Sequence, residues 1–260
     1  MARIVPLFSG SKGNCYYIGT AARGVLIDAG RNCKQIELAM DANGLSMKSV
    51  GAVFVTHEHI DHCSGLKVLT KKYNLPVYAS EGTLNALAER DKLAPNTKIS
   101  EIKNEIAVAD MRIQRFDTPH DAAESCCYRV TSPDGKIAMV ATDIGHVTEQ
   151  IRSALADCHL VVLESNHDVE MLKASDRPPH LVQRIAGRHG HLSNYAAGDL
   201  LASVADERLR FVLPAHLSGD CNRPELAEAA FRSALRALHL ERRVEIVPTF
   251  RDAPSRLLTL

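Results

Sequence analysis

The residues with the most chemistry per unit length form one run, His57-Glu58-His59-Ile60-Asp61-His62, three histidines and two carboxylates within six residues. Neutral imidazole and carboxylate are ligands for zinc, manganese and iron alike. In an extended loop the alternating His57 and His59 face one cation together. Asp61 and His62 begin the next turn and can face a second. The plain alternative is a histidine-rich surface loop, but four potential ligands directly after a buried strand speak against it. Elsewhere, Ser9-Gly10-Ser11-Lys12-Gly13-Asn14 is either a simple hairpin connector or a small-residue loop whose backbone N–H groups and side chains hold a phosphate.

The elements that must position these residues are legible from periodicity. Gly51 to Thr56 is an apolar, β-branched run that predicts a buried strand, so the polar run sits at a strand's carboxyl end, where α/β proteins place their chemistry. Strands are predicted over 3–8, 15–19 and 24–29, with Asp28 either a partner behind a ligating histidine or a turn residue. A helix over 33–42 ends at Asn43-Gly44. Helix-like spacing runs from 63 to 73, followed by a strand at 75–79 and a helix at 81–90. Two or three strands fill 99–116. Strands at 127–131 and 136–141 flank an Asp134-Gly135 turn, and 147–155 is helical. The strand at 159–163 ends in the polar run Glu164-Ser165-Asn166-His167-Asp168, of which Glu164 and His167 either face the site or a ligand, or cap the next helix. Helix-like spacing over 177–190 exposes Arg184 and Arg188. Ser193 is the expected N-cap of the next helix, just after His191, a general acid or phosphate ligand. The last core strand is expected at 209–213. Asn222, with Glu225 three residues on, resembles a capping box for a helix with an apolar stripe of Leu226, Ala230, Ala234 and Leu238. Arg232, Arg236, Arg242 and Arg243 lie off that stripe, as a solvated face or a track for phosphates.

Composition narrows the class. With 260 residues and 45% hydrophobic content the chain can bury a substantial core, and one domain over 1–260 is expected. Lys+Arg and Asp+Glu are both 31, so global charge argues neither for nor against nucleic acid. Seven cysteines with no metal-type C-x-x-C, and no signal peptide, predict a reducing cytoplasmic setting. No apolar stretch approaches the ~20 residues of a membrane span, so no membrane partner is expected.

His-x-His-x-Asp-His is the signature of the metallo-β-lactamase fold, and the chain resembles that superfamily over nearly its whole length. The later ligands of the family occur in order at His120, Asp143 and His216. Taken alone, His120 is an ordinary loop histidine and Asp143 the N-cap of the following helix. The resemblance implies that His57, His59 and His120 bind one metal and Asp61, His62 and His216 another, with Asp143 bridging. It implies an α/β fold, the four-layer αβ/βα sandwich of two mixed sheets flanked by helices. It also implies two divalent ions, zinc or manganese, with iron an option.

Within the superfamily the chain looks like the phosphodiesterase branch. Asp143 stands where the best-known zinc β-lactamases have cysteine. The order Glu164-Ser-Asn-His, Gly190-His191-Leu-Ser and His216-Leu-Ser218 is similar to tRNase Z, where the counterpart of His191 is a catalytic acid. Ser-Gly-Ser-x-Gly-Asn-Cys-Tyr-Tyr, Leu-Ile-Asp-Ala-Gly, Thr-Pro-His-Asp-Ala and Gly-His-Leu-Ser-Asn resemble the YycJ/WalJ group of bacterial 5′-to-3′ DNA exonucleases. Cys126-Cys127-Tyr128 departs from that group, which more often has Gly before the Tyr. The resemblance implies catalytic roles for Asp61, which orients water, and His191, which protonates the leaving oxygen. A 5′-phosphate pocket is expected from Ser9, Ser11, Asn14, Ser218 and Asn222. DNA with 5′-phosphorylated ends is the expected partner. Two other functions are compatible with the same residues: a phosphodiesterase for a small cyclic or nucleotide substrate, and a non-catalytic nucleic-acid-binding protein. Seven intact ligand positions weigh against the latter.

Overall fold

A computed structural model describes residues 1–260. Strands alternate their side chains between two faces, and in the central strands both faces are apolar and buried, which forces a layer on each side. The strands are β1 (Arg3–Phe8), β2 (Cys15–Gly19), β3 (Gly24–Ile27), β4 (Val50–Phe54), β5 (Val77–Ala79), β6 (Ile99–Glu101), β7 (Glu105–Val108), β8 (Met111–Asp117), β9 (Cys126–Thr131), β10 (Ile137–Ala141), β11 (Leu160–Glu164), β12 (Phe211–Ala215), β13 (Glu245–Ile246) and β14 (Leu258–Thr259). They form two seven-stranded mixed sheets, ordered β14-β1-β2-β3-β4-β5-β6 and β13-β12-β11-β10-β9-β8-β7. Ile4, Tyr16, Ile27 and Phe54 point between the sheets against Tyr128, Val140 and Val162. Their neighbours Val5, Tyr17, Leu26 and Val53 point the other way.

Helices cover the outer faces. The first sheet carries α1 (Cys33–Ala42), α2 (Ile60–Cys63), α3 (Leu66–Tyr73) and α4 (Glu81–Glu89). The second carries α5 (Glu149–Leu155), α8 (Asn194–Val204) and α9 (Pro224–Ala237), with α6 (Val169–Lys173) and α7 (Pro179–Ala186) in the connection between β11 and α8. The result is the expected four-layer sandwich, and an antiparallel start (β1 to β3) does feed strand–helix units. No helix is long and apolar enough to cross a membrane. All seven cysteines are buried and unpaired.

Several expectations are corrected. The helix expected over 63–73 is split between α2 and α3, because Gly65 packs on backbone: a Cβ there would stand 1.9 Å from the Arg31 carbonyl oxygen. The N-cap of α5 is Thr148, whose hydroxyl accepts from Ile151 N–H, so Asp143 has no capping role. The buried face of α9 is Ala227, Phe231, Ala234 and Leu235, while Leu226 and Leu238 are more than a third exposed. Asn222 does not cap α9; Arg223 takes that position without a side-chain bond. The last core strand runs on to Ala215, and β13 and β14, two residues each, follow it.

Arg232, Arg242 and Arg243 line a cavity of about 450 Å³ with Glu245 and Ile246. Glu245 is in register with Phe211 at the start of β12, whereas His216 lies just past the end of that strand. With strands rising ~3.3 Å per residue, these arginines lie at the pole opposite His216 and line no side of its cleft.

Candidate metal centre

All the ligand candidates lie just past carboxyl ends of strands, on loops that meet where the two sheets face one another. Asp28, just past β3, is the hub on the first sheet's side. Its carboxylate accepts from Thr56 N–H (2.8 Å), from the Thr56 hydroxyl (3.0 Å) and from His62 Nδ1 (2.8 Å). Three buried site residues, Asp28, Asp143 and His216, have φ of 63°, 58° and 56°. Left-handed backbone at non-glycine residues costs about 1–3 kcal/mol each and collects at functional sites.

Four of the five histidine candidates share one hydrogen-bond pattern, while His59 turns its Nδ1 toward His120 Nε2 (3.4 Å). Nδ1 of His62 is held by Asp28 (2.8 Å), of His120 by Gly190 O (3.0 Å), of His216 by Glu164 Oε1 (3.2 Å), and of His57 by the Thr56 hydroxyl (3.0 Å). In each ring this leaves Nε2 for the interior of the cluster. His57 Nε2 is buried there with no hydrogen-bond partner. Rings fixed at one nitrogen by an oxygen, with the other aimed inward, are how proteins present imidazole to a cation.

The donor atoms fall into groups whose members lie within 4.8 Å of one another: His57, His59 and His120; Asp61, His62 and His216; His57, His62 and Asp143; and Asp143, Glu164, His191 and His216. Asp143 faces both sides, with Oδ2 3.2 Å from His62 Nε2 and Oδ1 3.7 Å from His120 Nε2. The seven ligand candidates are therefore together, in the two triads expected plus one carboxylate between them.

The electrostatics ask for cations. Burial and the neighbouring imidazoles push His57 and His59 below their ordinary pKa, leaving neutral rings with a free lone pair. Burial acts in the same direction on His62 and His216, but Asp61, Asp143, Asp28 and Glu164 outweigh it and push both up, His216 to about 10. Four buried or nearly buried carboxylates thus draw positive charge into a space lined by ring nitrogens. Residues of this chemistry, in this packing, fit divalent metal, and the chain's centre is a divalent-metal site.

A second wall comes from the loops after β11 and β12. Glu164 is fully buried; its Oε1 takes His191 Nδ1 (2.8 Å) and His216 Nδ1, and its Oε2 accepts from Ile144 N–H (2.8 Å) and Leu192 N–H (3.1 Å). Burial would raise its pKa; the facing histidines hold it low. His191 therefore presents Nε2 outward, with its side chain 17% exposed beside Asp143. His167 faces no ligand; its Nδ1 is buried without a partner.

Four of the five expected substrate residues turn out to be framework. Ser9 Oγ accepts from His216 N–H (3.0 Å) and bonds the Tyr16 hydroxyl. Asn14 Nδ2 lies 3.1 Å from His62 Nε2 and 3.3 Å from Asp61 Oδ2. Ser218 Oγ accepts from Cys221 N–H. Asn222 donates to Ser165 O and Asn166 O and accepts from Asn194 Nδ2. All four are buried, so they brace the loops instead of offering free donors. Ser11 alone is exposed. Asn166 and Asn194, which complete this bracing, were not singled out from sequence; an asparagine at a strand end carries no signal of its partner.

Fold and site together define a metal-dependent hydrolase scaffold. The chain belongs to the beta-lactamase superfamily, whose domain model matches residues 23–216. It is 36% identical over 231 residues to exodeoxyribonuclease YycJ of Bacillus anthracis, covering 88% of this chain and 87% of that one. It is 32% identical to exodeoxyribonuclease WalJ of Streptococcus pneumoniae, covering 85% and 83%. Among solved structures, Zn(2+)-bound PqqB of Methylobacterium extorquens superposes over the full length of both chains with a TM-score of 0.73 at 17% identity, a likeness of fold.

Proposed function

We propose that the chain is a metal-dependent phosphodiester hydrolase that acts on DNA as a 5′-to-3′ exonuclease, with two divalent cations, zinc or manganese, at its centre. The observation that carries the proposal is the pairing of the seven-residue ligand cluster with a histidine outside both triads, His191, which Glu164 holds with Nε2 free. The two relatives named as exodeoxyribonucleases match over most of their own lengths, which supports the polymer substrate.

His57, His59 and His120 would hold one cation, Asp61, His62 and His216 the other, and Asp143 would lie between. Bound divalent cations supply Lewis-acid activation of water and neutralise charge on the phosphoryl oxygens. Asp61 Oδ2 is engaged by Asn14, His62 and His216, which fixes the carboxylate and leaves Oδ1 to orient the attacking water. His191 Nε2 donates a proton to the leaving oxygen, and Glu164 holds its ring in place.

The test is degradation by metal-replete protein of single- and double-stranded DNA and RNA with 5′-phosphate or 5′-hydroxyl ends, beside bis(p-nitrophenyl) phosphate, with an Asp61→Ala, His62→Ala variant as control. Stepwise loss from the 5′ end of DNA, absent in the variant, is expected. Hydrolysis of the small ester with every polymer intact would replace the exonuclease by a small-phosphodiester hydrolase.

A further inference from the structure

The segment after β13 returns to the metal centre, and it is firmly held. Thr249 Oγ1 donates to Pro214 O (2.6 Å), Ser9 N–H donates to Phe250 O (2.9 Å), Arg31 Nη2 donates to Arg251 O (2.6 Å), and Ser255 N–H donates to Pro6 O (2.9 Å). Because β14 is antiparallel to β1, residues 249–252 lie at the same pole as the loop from Ser9 to Asn14 and as His216.

The Arg251 side chain lies across two glycines. A Cβ on Gly10 would stand 2.8 Å from Arg251 Cγ, and a Cβ on Gly219 would stand 2.2 Å from its Nη1. Gly10 also has φ of 149°, which disfavours any side chain. One glycine is next to Ser9, whose hydroxyl takes the His216 N–H; the other lies three residues past His216. Both loops that carry the guanidinium therefore also carry the metal centre. Its neighbour Arg31 is paired with Asp252 (2.6 Å), whereas Arg251 has neither a carboxylate nor a hydrogen-bond acceptor. The exposed Lys12 adds a further cation to the same rim. A half-buried, unpaired guanidinium in a fitted cradle, on a chain of formal net charge zero, is built to meet an anion.

We propose that Arg251 binds a phosphate of the polymer substrate next to the scissile one, taking its nonbridging oxygens. The planar fork of arginine matches a phosphate bidentately. This assignment rests on the phosphodiester-hydrolase function proposed above and names a residue that would select a polynucleotide over a one-phosphate ester, since the latter has nothing to place there.

The experiment compares wild type, Arg251→Ala, Arg251→Lys and Gly219→Ala on a single-stranded DNA oligonucleotide and on bis(p-nitrophenyl) phosphate, with metal content measured for each. Arg251→Ala should raise KM for the oligonucleotide roughly tenfold and lower the ratio of its kcat/KM to that for the small ester by a similar factor. The slope of log KM against log salt should fall by about 0.7, the loss of one phosphate contact to a single strand. Arg251→Lys should recover the salt slope. Gly219→Ala, whose methyl displaces the guanidinium, should copy Arg251→Ala. Wild type that degrades the oligonucleotide, with Arg251→Ala unchanged in ratio and salt slope, overturns the assignment alone. Loss of metal or of both activities together would make Arg251 a structural residue and also overturn it. Wild type active on the small ester but on no oligonucleotide overturns the polymer substrate, and this assignment with it.

Discussion

One carboxylate, Glu164, answers four donors, two of them the imidazoles of His191 and His216. Glu164→Gln keeps the shape but has one acceptor oxygen where two are needed. Metal affinity should fall ten- to a hundredfold, as for other partners behind a ligand, and kcat about a hundredfold, as His191 loses its orientation. Metal titration and single-turnover rates check this; a variant with normal affinity and rate would mean that the two imidazoles are positioned otherwise. His167 offers a different test. Burial pushes its pKa from 6.5 to about 4, with His191 adding to the effect and Glu164 opposing it. The folded chain keeps it neutral while the unfolded chain protonates it near 6.5. Its contribution to stability is therefore present above pH 6.5 and is lost as pH falls toward 4. Between pH 7 and 5 that amounts to about 2 kcal/mol. Urea unfolding of wild type and His167→Gln at both pH values should show a flatter profile in the variant, and parallel profiles would contradict the assignment.

At the scale of elements, the turn from β3 into α1 sets the height of the metal loop. A Cβ on Gly30 would stand 1.8 Å from the Asp61 carbonyl oxygen and 2.5 Å from Asn14 N, both backbone atoms that cannot swing aside. Gly30→Ala should push Asp61 and His62 out of place, lowering bound metal and destabilising the fold by roughly 1–3 kcal/mol, as overpacking does. Metal analysis and thermal unfolding would detect both, and full metal occupancy would sink the idea. The same stretch shows what a sequence can and cannot convey. His57, His59, Asp61 and His62 were legible as a polar run directly after an apolar strand, a pattern that survives without knowledge of packing, whereas His120, Asp143 and His216, each unremarked when taken alone, followed from the resemblance. The four-layer sandwich followed from resemblance, and its alternating strands bear it out. The break between α2 and α3 was not legible, since Gly65 reads as a tolerated helical glycine until Arg31 is found against it. The stripe of α9 slipped by one residue because Leu226, Ala230, Ala234 and Leu238 also fit a helical period, and only contact with the second sheet selects Phe231. Ser9, Asn14, Ser218 and Asn222 carry a genuine signal, polarity beside the site, but burial assigns their bonds to protein. Two-residue strands such as β13 and β14 carry no period at all, so the return of Arg251 to the centre was out of reach.

For the whole molecule, the ligands divide between the two sheets. His57, His59, Asp61 and His62 follow β4 of the first, while His120, Asp143 and His216 follow β8, β10 and β12 of the second. Each candidate triad draws on both sheets: His120 joins His57 and His59, and His216 joins Asp61 and His62. A bound cation therefore clamps the two halves at the one end where buried carboxylates and histidines, not apolar side chains, face each other. Cations that bind only the folded chain stabilise it by about 4 kcal/mol per site at a thousand times Kd. For a chain of this size each kcal/mol moves the midpoint by about 2–4 °C. Removing metal by chelation should lower Tm by at least about 10 °C, and zinc or manganese should restore it in a concentration-dependent way. His120→Ala and His216→Ala, both on the second sheet, should each lose part of that response, since each breaks one clamp. Calorimetry with and without chelator tests the point directly. If chelated and metal-replete protein melt together, the cations do not tie the sheets, and the centre would have to be stable on its hydrogen bonds alone.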